Sequence, residues 1–76
     1  MKHAWNDRPL AENPAFAPGT PVLNDSFEGT GSVVETRLLS DGTTESVLVR
    51  FAPGAGPREW GQQDHGYFFA ANLRAA

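Results

Sequence analysis

The 76-residue sequence predicts an all-β fold: a small five-stranded barrel with a single 3₁₀ turn before its last strand. Two observations predict this class. Eight glycines and six prolines make nearly one residue in five a turn former, which favours a turn-rich β domain over a helical bundle. Short β-branched and aromatic runs separate these turns, and a curled or closed sheet is how so short a chain covers its strand edges.

The N-terminal stretch differs from the rest of the chain. Residues 1–15 have neither a helical nor a strand period, and their prolines and asparagines favour turns. We therefore expect a flexible N-terminal arm at 1–15 and a barrel domain at 16–76. Trp5 and Leu10 are the large apolar residues of the arm. Two readings stay open: an untethered terminus, or docking of these side chains on the domain or on a neighbouring chain.

The first two strands are marked by the turns around them. The segment Pro18-Gly19-Thr20-Pro21 predicts a turn, and Val22-Leu23 begins the first strand. Gly29 and Gly31 predict a sharp turn with positive φ. The β-branched residues that follow predict a second strand over Ser32–Leu39.

Asp41-Gly42 predicts a hairpin, because this dipeptide lies between two apolar runs. The return strand is predicted over Glu45–Phe51. Side chains alternate between the two faces of a strand, so this segment divides into two sets. We predict that Val47, Val49 and Phe51 face inward and that Ser46, Leu48 and Arg50 face outward.

A long loop and a short closing segment complete the predicted barrel. The loop runs from Ala52 to Gly66, and loops of this length are usually functional or disordered. Tyr67–Ala76 predicts a strand, a turn and a final strand. Ala70-Ala71-Asn72 is too short for an α-helix but suits one 3₁₀ turn.

The predicted core is small. Its members are Val22, Val33, Val34 or Thr36, Leu38, Val47, Val49, Phe51, Phe68 and Leu73. A core of nine or ten side chains is marginal for a domain of this size. A homo-oligomer that buries an apolar strand face or edge therefore remains an open alternative.

Composition excludes several classes of function. The net charge is −3, and six basic residues are scattered along the chain, which disfavours tight binding of nucleic acid. The sequence lacks cysteine, so disulfides and thiolate metal sites are excluded. We find no apolar run of membrane-spanning length and no signal peptide, and we expect a cytoplasmic protein without membrane contact.

Four short motifs follow one another along the chain. They are Phe16-x-x-Gly19-x-x-Val22, Phe27-x-Gly29-x-Gly31-x-Val33-Val34, Val47-x-Val49-Arg50-Phe51 and Ala71-Asn72-Leu73. In order and spacing they resemble the small SH3-like, tudor-like barrel at the C-terminus of some bacterial DNA-repair helicases. RNA-polymerase-binding domains of the CarD type are similar. The resemblance covers about sixty residues and implies a bacterial interaction module in transcription or DNA repair.

The chain departs from this family at three places. Glu28 is an extra residue before Gly29, and the loop 52–66 is much longer. The basic residues common before this turn are absent, and Leu23, Asn24, Asp25 and Ser26 stand in their place. The chain also resembles the type II dihydrofolate reductases, oligomeric enzymes of similar length with a loose arm. In their site strand a valine and a glutamine stand where this chain has His65 and Gly66, which argues against that activity.

The candidate partner-binding residues surround the long loop. They are Arg50, Arg58, Trp60, Tyr67 and Phe69. Exposed Trp, Tyr and Arg side chains are those that dominate binding at protein interfaces. With Phe27, these aromatic rings also suit a cage for a cation. The alternative is that Trp60 folds back as a lid on the barrel above Phe69.

The sequence gives little support to a catalytic site or a metal site. Asp64-His65 has no partner nucleophile in a recognisable setting, and two histidines in all do not make a metal site. The sequence therefore predicts no catalytic residues, no metal and no cofactor. It predicts a non-enzymatic module whose partner is a protein, with nucleic-acid binding or a small oligomeric reductase as the alternatives.

Overall fold

The computed structural model describes residues 8–27, 29–52, 55–57 and 63–76. These residues form one antiparallel sheet with the strands β1 (Pro21–Leu23), β2 (Gly31–Leu38), β3 (Glu45–Phe51), β4 (His65–Phe69) and β5 (Arg74–Ala75). A 3₁₀ turn at Ala70–Asn72 separates β4 from β5. The all-β class, the five strands and the 3₁₀ turn before the last strand are confirmed. Within the described ranges, no helix is long and apolar enough to cross a membrane.

The sheet is strongly curved. Its strand order is β4-β3-β2-β1-β5, so the last two strands of the chain lie at opposite edges. In a flat sheet these edges would be roughly 19 Å apart, at about 4.8 Å per strand interval. The connection is the 3₁₀ turn and Leu73, and such a turn advances about 2 Å per residue. The sheet must therefore curl until its two edges approach each other.

The β2–β3 hairpin forms where the sequence predicts it. Gly42 has a φ of +75°, which glycine adopts at little cost. Asp41 stabilises the turn, because its Oδ1 atom accepts the backbone N–H groups of Thr43 at 2.9 Å and Thr44 at 2.8 Å. The ladder closes at the pair of Leu38 and Glu45.

A β-bulge lies in the middle of β2. Val33 pairs with Val49, but the next paired residue of β2 is Glu35, so Val34 is one extra residue in this strand. The bulge keeps Val33 and Thr36 on the buried face although they are three positions apart. Of the two core candidates at this position, Thr36 is buried and Val34 is exposed.

The core lies inside the curve of the sheet. Its buried apolar residues are Val22, Phe27, Val33, Val47, Val49, Phe51 and Leu73. The predicted inward set of β3 is confirmed. The predicted core members Leu38 and Phe68 are half-buried, and Phe68 packs against the core from its rim. The rings of Phe27 and Phe51 meet edge to face with centroids 4.7 Å apart.

The positive φ predicted for Gly29 and Gly31 is wrong. Among the described residues, positive φ occurs at Gly19 and Gly42 instead. Gly31 is required for close approach, because a Cβ atom there would overlap Cγ1 of Val49 and lie 2.9 Å from Cε1 of Phe51. The lack of a side chain, rather than an unusual backbone angle, explains this glycine.

The N-terminal segment lies along the second half of β2. The N–H group of Leu38 donates to the carbonyl of Pro9 at 2.9 Å, and the N–H group of Ala11 donates to the carbonyl of Thr36 at 2.9 Å. Residues 9–11 thus cover a stretch of β2 edge that β1 leaves unpaired. The boundary between arm and domain at residue 15 stays a prediction.

The predicted loop is too long at its C-terminal end. His65 and Gly66 belong to β4, where they pair with Arg50 and Val49. This pairing extends β4 two residues before Tyr67, the predicted start of the strand. The reason is that the backbone groups of β3 are available for pairing as far as Phe51. The N–H group of Phe51 donates to the carbonyl of Asp64 at 2.7 Å.

Candidate interaction surface

The outer face of β3 and β4 carries the predicted site residues that the structure describes. Residues opposite each other in an antiparallel pair point to the same face. The outward pairs are Ser46 with Phe69, Leu48 with Tyr67, and Arg50 with His65. Arg50, Tyr67 and Phe69 therefore share one face, whereas Arg58 and Trp60 lie outside the described residues. We call this outer face of β3 and β4 the β3–β4 face.

Exposure differs along the β3–β4 face. Phe69 is 49% exposed and Arg50 is exposed, but Tyr67 and Leu48 are half-buried. Ser46 faces outward as predicted and is nevertheless buried. An open concavity of about 260 Å³ lies here, lined by Ser46, Tyr67, Phe68, Phe69 and Asn72.

The face continues onto the N-terminal segment. Leu10 pairs with Arg37, Arg37 in turn pairs with Ser46, and Ser46 pairs with Phe69. These four residues form one row across the sheet, with Leu10 and Phe69 at its two ends. Leu10 is 56% exposed. The sequence placed Leu10 in an arm without strand period, so periodicity gave no signal for this row.

Arg37 is the centre of a polar network on this face. It forms an ion pair with Glu35, donates to the backbone carbonyl of Arg8 at 2.6 Å and contacts the hydroxyl of Tyr67. The hydrogen bond to Glu35 raises the pKa of Arg37 further above its ordinary value. The pKa of Tyr67 is also raised, first by burial of its hydroxyl and then by the carboxylate of Glu35. The Tyr67 hydroxyl therefore belongs to the same network as Arg37 and Glu35.

Asp64 and His65 form an exposed pair at the start of β4. Asp64 Oδ1 lies 2.7 Å from His65 Nδ1, and this hydrogen bond lowers the pKa of Asp64. Both side chains are about 60% exposed, which suits a solvated pair. Within the described ranges, no group of three or more histidine or acidic side chains is placed to hold a metal ion.

Phe27 does not belong to this surface. The sequence grouped it with the exposed aromatic rings, but Phe27 is 6% exposed and packs between Phe51 and Phe68. Its backbone pairs with Pro57, so the segment before β2 and the segment after β3 meet around the buried ring. An aromatic cage that includes Phe27 is therefore wrong.

Comparison with protein-family models, curated proteins and solved structures finds no match for this chain. The outer face of the sheet combines the partly exposed side chains of Leu10, Leu48, Tyr67 and Phe69 with the exposed Arg50 and the paired Arg37 and Glu35.

Proposed function

We propose that the protein is a non-enzymatic interaction module that binds a protein partner through the β3–β4 face. The observation that carries this proposal is Phe69, a phenyl ring 49% exposed on a regular strand. Tyr67 and Arg50 lie on the same face. Aromatic and arginine side chains supply most of the energy at protein interfaces, where they fill pockets of the partner.

The charges of this face favour a protein over nucleic acid. Arg37 is paired with Glu35, and His65 lies beside Asp64. Phosphate binding needs clustered cations that release counterions, whereas this face alternates basic and acidic groups. The net charge of −3 points the same way.

The remaining predicted site residues belong to the same proposal. Arg58 and Trp60 precede β4 in the chain, and we propose that they extend the binding surface. The resemblance of the four sequence motifs to SH3-like barrels is part of the same proposal. The proposed context of transcription or DNA repair, in the bacterial cytoplasm, rests on that resemblance.

Affinity capture with matched variants tests the proposal. The full chain is immobilised, exposed to an extract of its own host and compared with Phe69→Ser, Arg50→Glu and the hairpin control Thr43→Ala. We expect one partner to be retained by the wild type and by Thr43→Ala. Each of the two surface variants should bind the purified partner roughly tenfold more weakly, since hot-spot losses exceed about 1 kcal/mol. Equal retention by all four proteins would contradict the proposal.

Trp60→Ala addresses the two readings of the indole. If Trp60 contributes to the surface, the variant keeps its circular dichroism spectrum and melting temperature while partner binding weakens. If Trp60 instead covers the core, the variant melts at a lower temperature, and the surface loses this member.

The alternative functions give different results with the same preparation. A nucleic-acid module would bind DNA or RNA in low salt and release it as the salt concentration rises. A reductase of the type II class would form an oligomer with a central pore, and NADPH would quench its tryptophan fluorescence. Either result, with no protein retained, would replace the proposed function.

A further inference from the structure

We propose that residues 8–11 are an exchangeable strand, and that two copies of the chain form a dimer in which each segment pairs with β2 of the other copy. The occupant of the β2 edge is then the same segment from a second copy. This inference does not rest on the proposed function, because the hydrogen bonds between the segment and β2 involve none of Arg50, Tyr67 and Phe69.

The contact between the segment and β2 is made mainly by backbone groups. Leu38 N–H to the Pro9 carbonyl and Ala11 N–H to the Thr36 carbonyl, both 2.9 Å, are the hydrogen bonds of an antiparallel ladder. The guanidinium of Arg37 adds a bond to the backbone carbonyl of Arg8 at 2.6 Å. An identical segment from another copy restores every one of these bonds.

The segment buries little apolar surface where it lies. Of its four residues, Pro9 and Leu10 are exposed, Leu10 at 56%, and Arg8 and Ala11 are half-buried. Its release therefore exposes little new hydrocarbon to water. Segments that make few buried apolar contacts open locally at low free energy, so this one is suited to exchange.

A short connection follows the segment and provides the hinge. Phe16 packs against the core and anchors the chain at that point. Between Ala11 and Phe16 lie four residues that include Pro14, and the chain bends at residues 12–13 and again at 15–16. One hydrogen bond, from Ala15 N–H to Glu45 Oε1 at 2.9 Å, ties this connection to β3. Exchange of an identical element across such a hinge is a low-cost route to a dimer.

The surface near the segment favours a second copy as the occupant. Leu10 on the segment is 56% exposed, and Val34 at the bulge of β2 is 37% exposed. Dimers with exchanged strands bring such surfaces of two copies together. The described residues include seven buried apolar side chains, which is a small core. Further burial in a dimer would therefore add substantially to the stability of the domain.

Cysteine crosslinking tests the exchange directly, because the chain contains no native cysteine. Leu10 lies opposite Arg37, and the two hydrogen bonds between the strands lie on either side of this pair. In such a non-hydrogen-bonded pair the Cα atoms of the two strands lie closest together, so a disulfide fits there. Leu10→Cys and Arg37→Cys chains are purified separately, mixed and oxidised. We expect a covalent species of twice the 8.2 kDa chain mass, joined by a disulfide between position 10 of one chain and position 37 of the other, that disappears on reduction.

Two controls make the crosslinking result decisive. Mixing Leu10→Cys with Thr43→Cys measures chance collision, and the link between positions 10 and 37 must exceed it at least tenfold. The double variant Leu10→Cys/Arg37→Cys reports whether the pairing forms at all. A disulfide in the double variant that is wholly intramolecular, with a mixed-chain link at the collision level, would overturn the proposal. Absence of any disulfide in the double variant would overturn it as well.

Sedimentation of a matched pair of variants gives an independent readout. Ala11→Pro removes the N–H group that bonds Thr36, whereas Ala11→Ser keeps it. We expect the wild type and Ala11→Ser to shift from monomer to dimer as concentration rises, and Ala11→Pro to remain a monomer with an unchanged circular dichroism spectrum. A dimer of equal strength in all three proteins, or a monomer in all three, would contradict strand exchange.

Discussion

The two faces of the β3–β4 hairpin carry similar side chains but differ in how those side chains are covered. On the inner face Val47 and Val49 are fully buried and Phe68 packs on the core. On the outer face Leu48 and Tyr67 are half-buried and Phe69 is about half exposed. Hydrophobic side chains alone therefore do not identify the core of this small sheet. The inner face is the one on which Gly31 lets the strands close tightly.

Gly31→Ala should lower the stability of the protein most, because it disrupts packing on the inner face. The new Cβ atom would overlap Val49 and press on Phe51, and both of these side chains are themselves buried in the core. We expect a loss of about 3 kcal/mol in the free energy of unfolding, at the upper end of typical overpacking costs. Urea denaturation measures it. The control is Gly42→Asn, since this exposed turn position tolerates the left-handed conformation in asparagine. An unchanged midpoint for Gly31→Ala would contradict the close approach.

Val49→Ala and Leu48→Ala compare the two faces at adjacent positions. Val49 is 0% exposed, so its truncation should lower the free energy of unfolding by about 1–3 kcal/mol. Leu48 lies half-buried on the outer face and should cost less. Thermal and chemical denaturation of both variants check the order. If Leu48→Ala proved the more damaging, the assignment of inner and outer faces would be reversed.

Thr36→Val should raise stability on the inner face. Thr36 is buried, and its Oγ1 atom has no hydrogen-bond partner among the described residues. Replacing an unpaired buried hydroxyl by a methyl group of similar size removes its desolvation cost, and we expect a gain of about 1 kcal/mol. Thr36→Ala is the matched control, because it also removes the hydroxyl but leaves a cavity. A lower melting temperature for Thr36→Val would show that the hydroxyl is bonded.

Asp41 lies in the exposed hairpin turn, and we expect its effect on stability to be the smallest of those considered. Hydrogen bonds from Thr44 and Thr43 lower its pKa from 3.8 to about 2. Because the folded pKa is below the unfolded one, this contribution to stability is present above about pH 4 and is lost as the pH falls through 2. Asp41→Asn, which does not titrate, should show a flatter decline of melting temperature between about pH 4 and pH 2. An NMR titration that places the Asp41 pKa at 3.8 would refute this account.

Much of this architecture is accessible from the sequence because the relevant signals are local. The alternation Val47, Val49, Phe51 predicts the buried face of β3, and Asp41-Gly42 predicts the hairpin that precedes it. Ala70–Asn72 predicts the 3₁₀ turn, because three residues leave no room for a longer helix. On the candidate site, the same alternation places Tyr67 and Phe69 together on the outer face.

The remaining features depend on contacts between distant parts of the chain. A strict alternation offers either Val33 with Glu35 or Val34 with Thr36 as the buried set, and the bulge selects Val33 with Thr36. The burial of Phe27 requires Pro57 to pair with it from thirty positions away. Likewise, nothing in the composition of residues 8–11 reveals that β2 leaves an edge for them to cover.

Closure of the sheet has a consequence for the timing of folding during synthesis. Val22 at the centre of the core is flanked by Gly31 on one side and by Ala75 on the other. The β2–β3 hairpin is local and can form as soon as its residues leave the ribosome, whereas β1 waits for a strand encoded more than fifty codons later. Until then one wall of the hydrophobic interior is open to water, so a nascent chain of this protein stays vulnerable to proteases and to association until Arg74 and Ala75 have left the ribosome.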